Sequence, residues 1–347
     1  MKRILTFLVV AAMAAACSPT VEDNKVYTAP KFKSEHKVEF TPLSNQLMID
    51  HNPDLFMIGD NKLIICSKCA DNNHNFQIVD AQSGEYISSF GIKGRGPYEL
   101  SDFSRKAVDA KRGVMYLMSQ NSELLQVDLA KAIGGNHHPY IGEKTGKIKG
   151  NPTQFIFALN GELLQVHSNR RMALTSLDMQ DTLGYYDDYP SIESRVDAER
   201  KKTEGFFMYN AIYGVKPDNS KMYCVTRTGM ILEIFDVAKS GKIRQRAIKR
   251  FYEPKPQSLA WGTDDCIFGA IYTCATDKYI YVLYSDKPNS EPEHFRLGVF
   301  DWSGNPVKAY IFDPVVARMA ISLDDKYCYG WVQNADGEEY LGYFDLK

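Results

Sequence analysis

Past its first 16 residues the chain has no apolar run approaching the roughly 20 residues that a bilayer-spanning helix needs, and almost no window with the 3.6-residue period of an amphipathic helix. Short strands are left as the building unit. An excess of charge of one sign is also missing: 41 Lys and Arg stand against 43 Asp and Glu, a formal net charge of -2. Nothing in that balance points to a nucleic-acid partner.

Chemical signatures are equally sparse. No HxH or HExxH occurs among His36, His51, His74, His137, His138, His167 and His294, and the adjacent pair His137-His138 lacks the i, i+4 spacing of helical metal ligands. Asp71-Asn72-Asn73-His74-Asn75 is rich in oxygen but lacks the spaced carboxylates of a calcium loop, so it is expected to be a polar hairpin tip. No Gly-x-Ser-x-Gly elbow and no phosphate-binding Gly-Lys-Ser/Thr is present. The expectation is therefore no metal and no cofactor. Cys66-Ser67-Lys68-Cys69 is the single CxxC, without the second pair of a zinc knuckle or the strand-to-helix setting of a redox motif. A structural role is expected for it, with a local disulfide as the alternative. Several other cysteines fall in apolar strand runs, where a free thiol behaves as a buried hydrophobe.

What the chain does have is repetition. Six apolar runs end in aspartate: Phe76 to Asp80, Leu124 to Asp128, Leu174 to Asp178, Leu232 to Asp236, Leu297 to Asp301 and Leu341 to Asp345. Turn signals such as Ser83-Gly84, Ser240-Gly241 and Ser303-Gly304 follow. Before most runs lies another strand opened by a turn, as in Asp60-Asn61-Lys62-Leu63-Ile64-Ile65-Cys66. Turn, strand, loop, strand ending in Asp, turn, strand is most of a four-stranded antiparallel blade. The predicted fold is all-β, a six-bladed β-propeller whose closed ring removes exposed sheet edges. The last blade lacks an outermost strand at the C-terminus. The alternating run Lys37-Val38-Glu39-Phe40-Thr41-Pro42-Leu43 is expected to supply it and close the ring.

Gly91-Ile92-Lys93-Gly94-Arg95-Gly96-Pro97-Tyr98-Glu99-Leu100 links the first two blades. Gly91, Gly94, Arg95, Gly96, Pro97 and Glu99 form its motif, with positive φ expected at the glycines and backbone capping by Arg95 or Glu99. Arg95, Tyr98 and Glu99 are the ligand-binding candidates, on or near the central funnel, with Arg95 a fork for carboxylate or phosphate. The stretches 191–205, read as an exposed helix, and 286–294 are expected at the rim of the same face.

Met1-Lys2-Arg3, the apolar run to Val10 and the small residues before Cys17 have the layout of a secretory signal. The cysteine after Ala14-Ala15-Ala16 resembles a bacterial lipobox, with Ala14 where leucine is usual. That likeness implies acylation at Cys17 and an anchor that does not span the membrane. The expected division is a signal at 1–16, a tether at 17–35 and the propeller at 36–347. Glu22-Asp23 resembles the surface-export signals of Bacteroidetes lipoproteins. The Gly91 to Leu100 link is similar to the G-x-G-x-GP-x-E-aromatic link of six-bladed, TolB-like propeller lipoproteins of Bacteroidetes, with Leu100 where Phe is more frequent.

The resemblance implies a lipoprotein anchored at the outer membrane, periplasmic or surface-exposed. The expected function is a monomeric binding or scaffolding module for a peptide, protein or glycan; the alternative is a polymer-acting lyase or hydrolase with its site in the funnel.

Overall fold

The computed structural model describes residues 26–43, 53–59, 61–66, 73–96, 98–100, 103, 105–118, 123–142, 145–147, 155–159, 161–166, 170–190, 198–238, 241–255, 264–291 and 295–347. Its strands form six sheets arranged as successive blades. Blades 1 to 4 each consist of four strands consecutive in sequence and antiparallel to their neighbours, the first strand of each lying innermost. Blade 5 has four strands of its own plus a fifth from near the N-terminus, and blade 6 has three plus one from near the N-terminus.

All six aspartate-ended runs fall on, or run directly out of, the third strand of a blade, from His74–Asp80 in blade 1 to Glu339–Asp345 in blade 6. The carboxylates do the capping expected of them. Asp80 Oδ1 accepts from the backbone N–H groups of Gln82 and Ser83, both at 2.9 Å, and Asp301 Oδ1 accepts from those of Ser303 and Asn305 at 2.8 and 2.9 Å. Asp128 departs from the hairpin pattern. It caps a short helix, Leu129–Ile133, by accepting from the Lys131 N–H at 3.1 Å, and that helix buries Leu129 and Ala132 against blade 1. The other helix, Ala198–Met208, overlaps the stretch 191–205 expected to be helical and runs past its end, whereas the Leu129–Ile133 helix was not expected from the sequence.

The second strands of the blades are apolar without alternation. Leu63, Ile64 and Ile65 are all fully buried, because blades stack face to face and both faces of a middle strand meet a neighbour. Six apolar clusters fill the six blade boundaries, and the one joining Leu55, Leu63 and Val79 of blade 1 to Ala320, Tyr329 and Leu341 of blade 6 closes the ring. At about 25 cal/mol per Å² of apolar surface removed from water, these boundaries are the principal source of stability.

Closure of blade 6 uses only the end of the expected segment 37–43, and a second strand just before it joins blade 5. Thr41–Pro42 pairs antiparallel with the last strand, Thr41 opposite Tyr343 and Pro42 opposite Gly342, and the Leu43 N–H reaches Leu341 O at 2.8 Å. Ser34–Lys37 instead adds parallel to Pro306–Ile311, the fourth strand of blade 5. One step earlier the Thr28 N–H donates to Arg250 O of blade 4 at 3.2 Å. Residues 28–43 therefore strap three blades together, and the strap takes in residues 28–35 that the sequence reading placed in the tether. Signal residues 1–16 and Cys17 lie outside the described residues.

Cys66, Cys224, Cys266, Cys274 and Cys328 are free thiols. Burial pushes the Cys66 thiol up to about 11, which keeps it protonated and unreactive near neutrality; Cys69 lies outside the described residues.

Candidate functional site

The link between blades 1 and 2 is a clasp closed at its neck. The buried Asn75 side chain donates to Gly91 O at 3.0 Å and to Leu100 O at 3.2 Å, pinning both ends of the loop. Inside it, Glu99 Oε2 accepts from the Gly96 N–H at 2.8 Å. The capping role therefore falls to Glu99. The expectation of positive φ is met at Gly91, with φ 75°, and not at Gly94 or Gly96. Gly94 is required for a different reason: a Cβ there would overlap the Glu99 carboxylate. Asn75, read from the sequence as part of a polar hairpin tip, is the residue on which the loop hangs.

Gly91 combines the left-handed backbone with a position where an added Cβ would come within 2.8 Å of the Phe76 ring. Gly91→Val is expected to cost roughly 2–5 kcal/mol, from backbone strain plus overpacking. Gly94→Ala is expected to cost only about 1 kcal/mol, because the Glu99 side chain can swing aside at the loss of one hydrogen bond. Urea titration of both variants checks the order.

Arg95 is exposed, and Tyr98 stacks on Tyr140 of blade 2 with centroids 5.6 Å apart and planes 13° from parallel. His138 lies 6.4 Å from the Tyr98 ring. No described residue of the link lines the central cavity, and Pro97 is outside the described residues. At the other expected rim, Pro288 bridges to Ile267 and the Asn289 N–H donates to Cys266 O at 2.9 Å, so 286–290 is pinned to the segment entering blade 5. Residues 191–197 and 292–294 lie outside the described residues.

The central cavity itself measures about 320 Å³ and is walled by the innermost strands of all six blades. Its wall is mostly apolar, with Leu55, Met57, Phe157, Ile212 and Met319 among the contributors. That follows from alternation along an innermost strand: one face packs between blades while the other faces the channel. Polar groups gather at both ends: where those strands finish, Asn219 lines the cavity and donates to Asp109 Oδ1 at 3.4 Å, and where they begin a charged cluster forms. Asp54, the first residue of the innermost strand of blade 1, forms an ion pair with Lys106 of blade 2 and accepts from Arg318 Nε of blade 6 at 3.1 Å. The Arg318 guanidinium also sits 5.7 Å from the centroid of Tyr272 of blade 5. Lys106 and Tyr272 line the cavity, so this cluster is its cap.

Arg227, one residue past the second strand of blade 4, is held beside the same end of the channel, its carbonyl accepting from the Gly269 N–H at 3.0 Å shortly before Tyr272. Its backbone is tied to Asn210 O at 2.8 Å, but among the described residues its side chain has no ion pair or hydrogen bond. Burial, then the nearby Arg318 charge, hold the Arg227 guanidinium below the usual arginine range. No motif marked these residues, because they come from blades far apart in sequence and meet only on closure. Among the described residues no three His, Cys, Asp or Glu side chains converge as a metal site would require.

A closed ring of six antiparallel blades around a capped central channel defines a six-bladed β-propeller. The chain belongs to the TolB-like 6-blade propeller-like family, whose model matches residues 33–324. It is similar to the crystal structure of a member of the DUF4221 family from Bacteroides vulgatus, at 11% identity over 90% of this chain and 98% of that one, with a TM-score of 0.56. It also matches the β-propeller domain of Cps50 (Swd1) from Myceliophteria thermophila, at 11% identity over 86% of this chain and 85% of that one, with a TM-score of 0.46. No curated protein matches the sequence.

Proposed function

We propose that this propeller is a monomeric binding module of the cell envelope, held at a membrane by a lipid on Cys17, that recognises a peptide, protein or glycan on the face where the channel mouth and the blade links lie. The observation that carries the reading is the charged cluster at the link-face end of the channel. One end of the channel gathers Asp54, Lys106, Arg318 and Arg227 over an apolar cavity of about 320 Å³, the combination of apolar wall and a few placed polar groups that ligand sites share. Propeller folds in general serve as rigid supports for recognition of this kind.

The test places a photo-crosslinking residue at Arg95 on the link face or at Ser83 on the opposite face, in the full chain expressed in its cell envelope. Discrete adducts from position 95 and none from 83 are expected. Adducts of equal yield from both faces, or none from either, overturn the reading. Cys17→Ser is expected to move the protein from the membrane to the soluble fraction, and a membrane fraction unchanged by it overturns the anchor.

A further inference from the structure

The cap over the channel carries more positive charge than it uses. Asp54 is shared between Lys106 and Arg318, so one carboxylate answers two cations. Arg227 adds a third, and among the described residues the charge acting on it is another cation, Arg318. Keeping a partly buried guanidinium beside a second one costs free energy in the free protein. That arrangement is relieved by an anion between them, and a guanidinium offers a planar pair of N–H donors that fits a carboxylate. Beneath the cap the wall turns apolar, at Leu55, Met57, Phe157 and Ile212.

We infer that the channel mouth binds a carboxylate carried on a slim apolar body, with the carboxylate on Arg227 and Arg318 and the apolar part directed past Lys106 and Tyr272 into the cavity. A volume of about 320 Å³ lies at the small end of ligand sites. It admits an acyl chain or the last one or two apolar side chains of a peptide, and excludes a folded domain. Asp54 orients Arg318 and Lys106 and, as the sole carboxylate of the described cap, disfavours ligands carrying further negative charge near the mouth. The free carboxyl end of an apolar peptide and a free medium-chain carboxylic acid share this chemistry. The inference rests on the binding-module reading but concerns the mouth alone, so crosslinks from position 95 would survive its failure.

The experiment is isothermal titration of the mature chain with two pairs of probes, octanoate against octanamide and N-acetyl-Leu-Leu free acid against its amide. At least one acid is expected to bind about tenfold or more tightly than its amide, the scale of a charged hydrogen bond, and to weaken with added salt. Arg227→Gln is expected to erase that preference and leave amide binding unchanged, while Arg227→Lys retains part of it. Preference for the dipeptide acid identifies a peptide end as the source, and preference for octanoate a free acid; either result supports the inference. Equal binding of acid and amide in both pairs, no binding of any probe, or an Arg227→Gln protein that keeps the full acid preference overturns it. The acid-against-amide comparison on the unaltered chain needs no variant, so a poorly folding Arg227→Gln leaves the test intact.

Discussion

Replacing Arg171 with methionine is expected to remove about 3–5 kcal/mol of stability at neutral pH, the cost of stranding one member of a buried ion pair. Arg171 and Glu233 are paired between blades 3 and 4 with side chains 0% and 1% exposed. The guanidinium is held by more than its counterion: it donates to Asp188 O and lies 4.6 Å from the Tyr189 ring centroid. Glu233 in turn accepts from Gln245 Nε2 at 2.6 Å and from Cys224 Sγ at 3.3 Å. Burial works against the Arg171 charge, but the Glu233 carboxylate outweighs it and raises the guanidinium well above the usual arginine range. Once Arg171 is gone, Glu233 is left in the blade boundary without its counterion. Urea titration of Arg171→Met against the unaltered chain at pH 7.5 measures the deficit, and a loss under about 1 kcal/mol would overturn the expectation. The double variant Arg171→Met, Glu233→Leu should recover most of the stability, since an apolar pair of similar volume needs no counterions.

This staple marks the boundary of what the sequence makes legible. The blades are written locally: Leu63-Ile64-Ile65, the turn glycines and the aspartate that caps the following hairpin are neighbours in the chain, and each can be read without knowing what packs against it. The strand interruption at the C-terminus and its completion by Thr41–Pro42 are also readable, because a ring of blades must close. Arg171 and Glu233 are different. They stand 62 residues apart, one just before the third strand of blade 3 and one within that of blade 4, and only the stacking of blade 3 on blade 4 buries them. The channel cap is harder still, with Asp54, Lys106, Arg227 and Arg318 drawn from four blades. The link motif was conspicuous because three glycines are conspicuous, and that prominence reflects backbone geometry. The loop is shaped by Gly91, Glu99 and Asn75 for its own closure, and its Tyr98 stacks on Tyr140 of blade 2.

Phe32→Ala combined with Phe40→Ala is expected to lower stability by about 4–8 kcal/mol, at or somewhat below the sum of two large-to-small aromatic truncations, since both rings remain partly exposed. Phe32 packs edge-on to Phe300 at 5.5 Å and against Gly298 of blade 5, where a side chain would leave no room for the ring. Phe40 contacts Phe312 and Phe344 at 5.4 and 5.0 Å and lies over Gly330 and Gly342 of blade 6. Glycine at Gly298, Gly330 and Gly342 is thus the absence of a side chain that makes a socket. Between the two rings the backbone pairs with blade 5 through Ser34–Lys37, and just past Phe40 it pairs with blade 6 through Thr41–Pro42. Each aromatic therefore fixes one stretch of strand pairing. The sockets are far enough apart to be independent, yet both rings hold one strap, so the losses should add only if the strap detaches piecewise. Chemical denaturation of the two single variants and the double variant decides between the cases. A double loss well below the sum would mean that the first truncation already frees the whole strap and that the ring closes as one cooperative event; additivity would mean that blades 5 and 6 grip it separately.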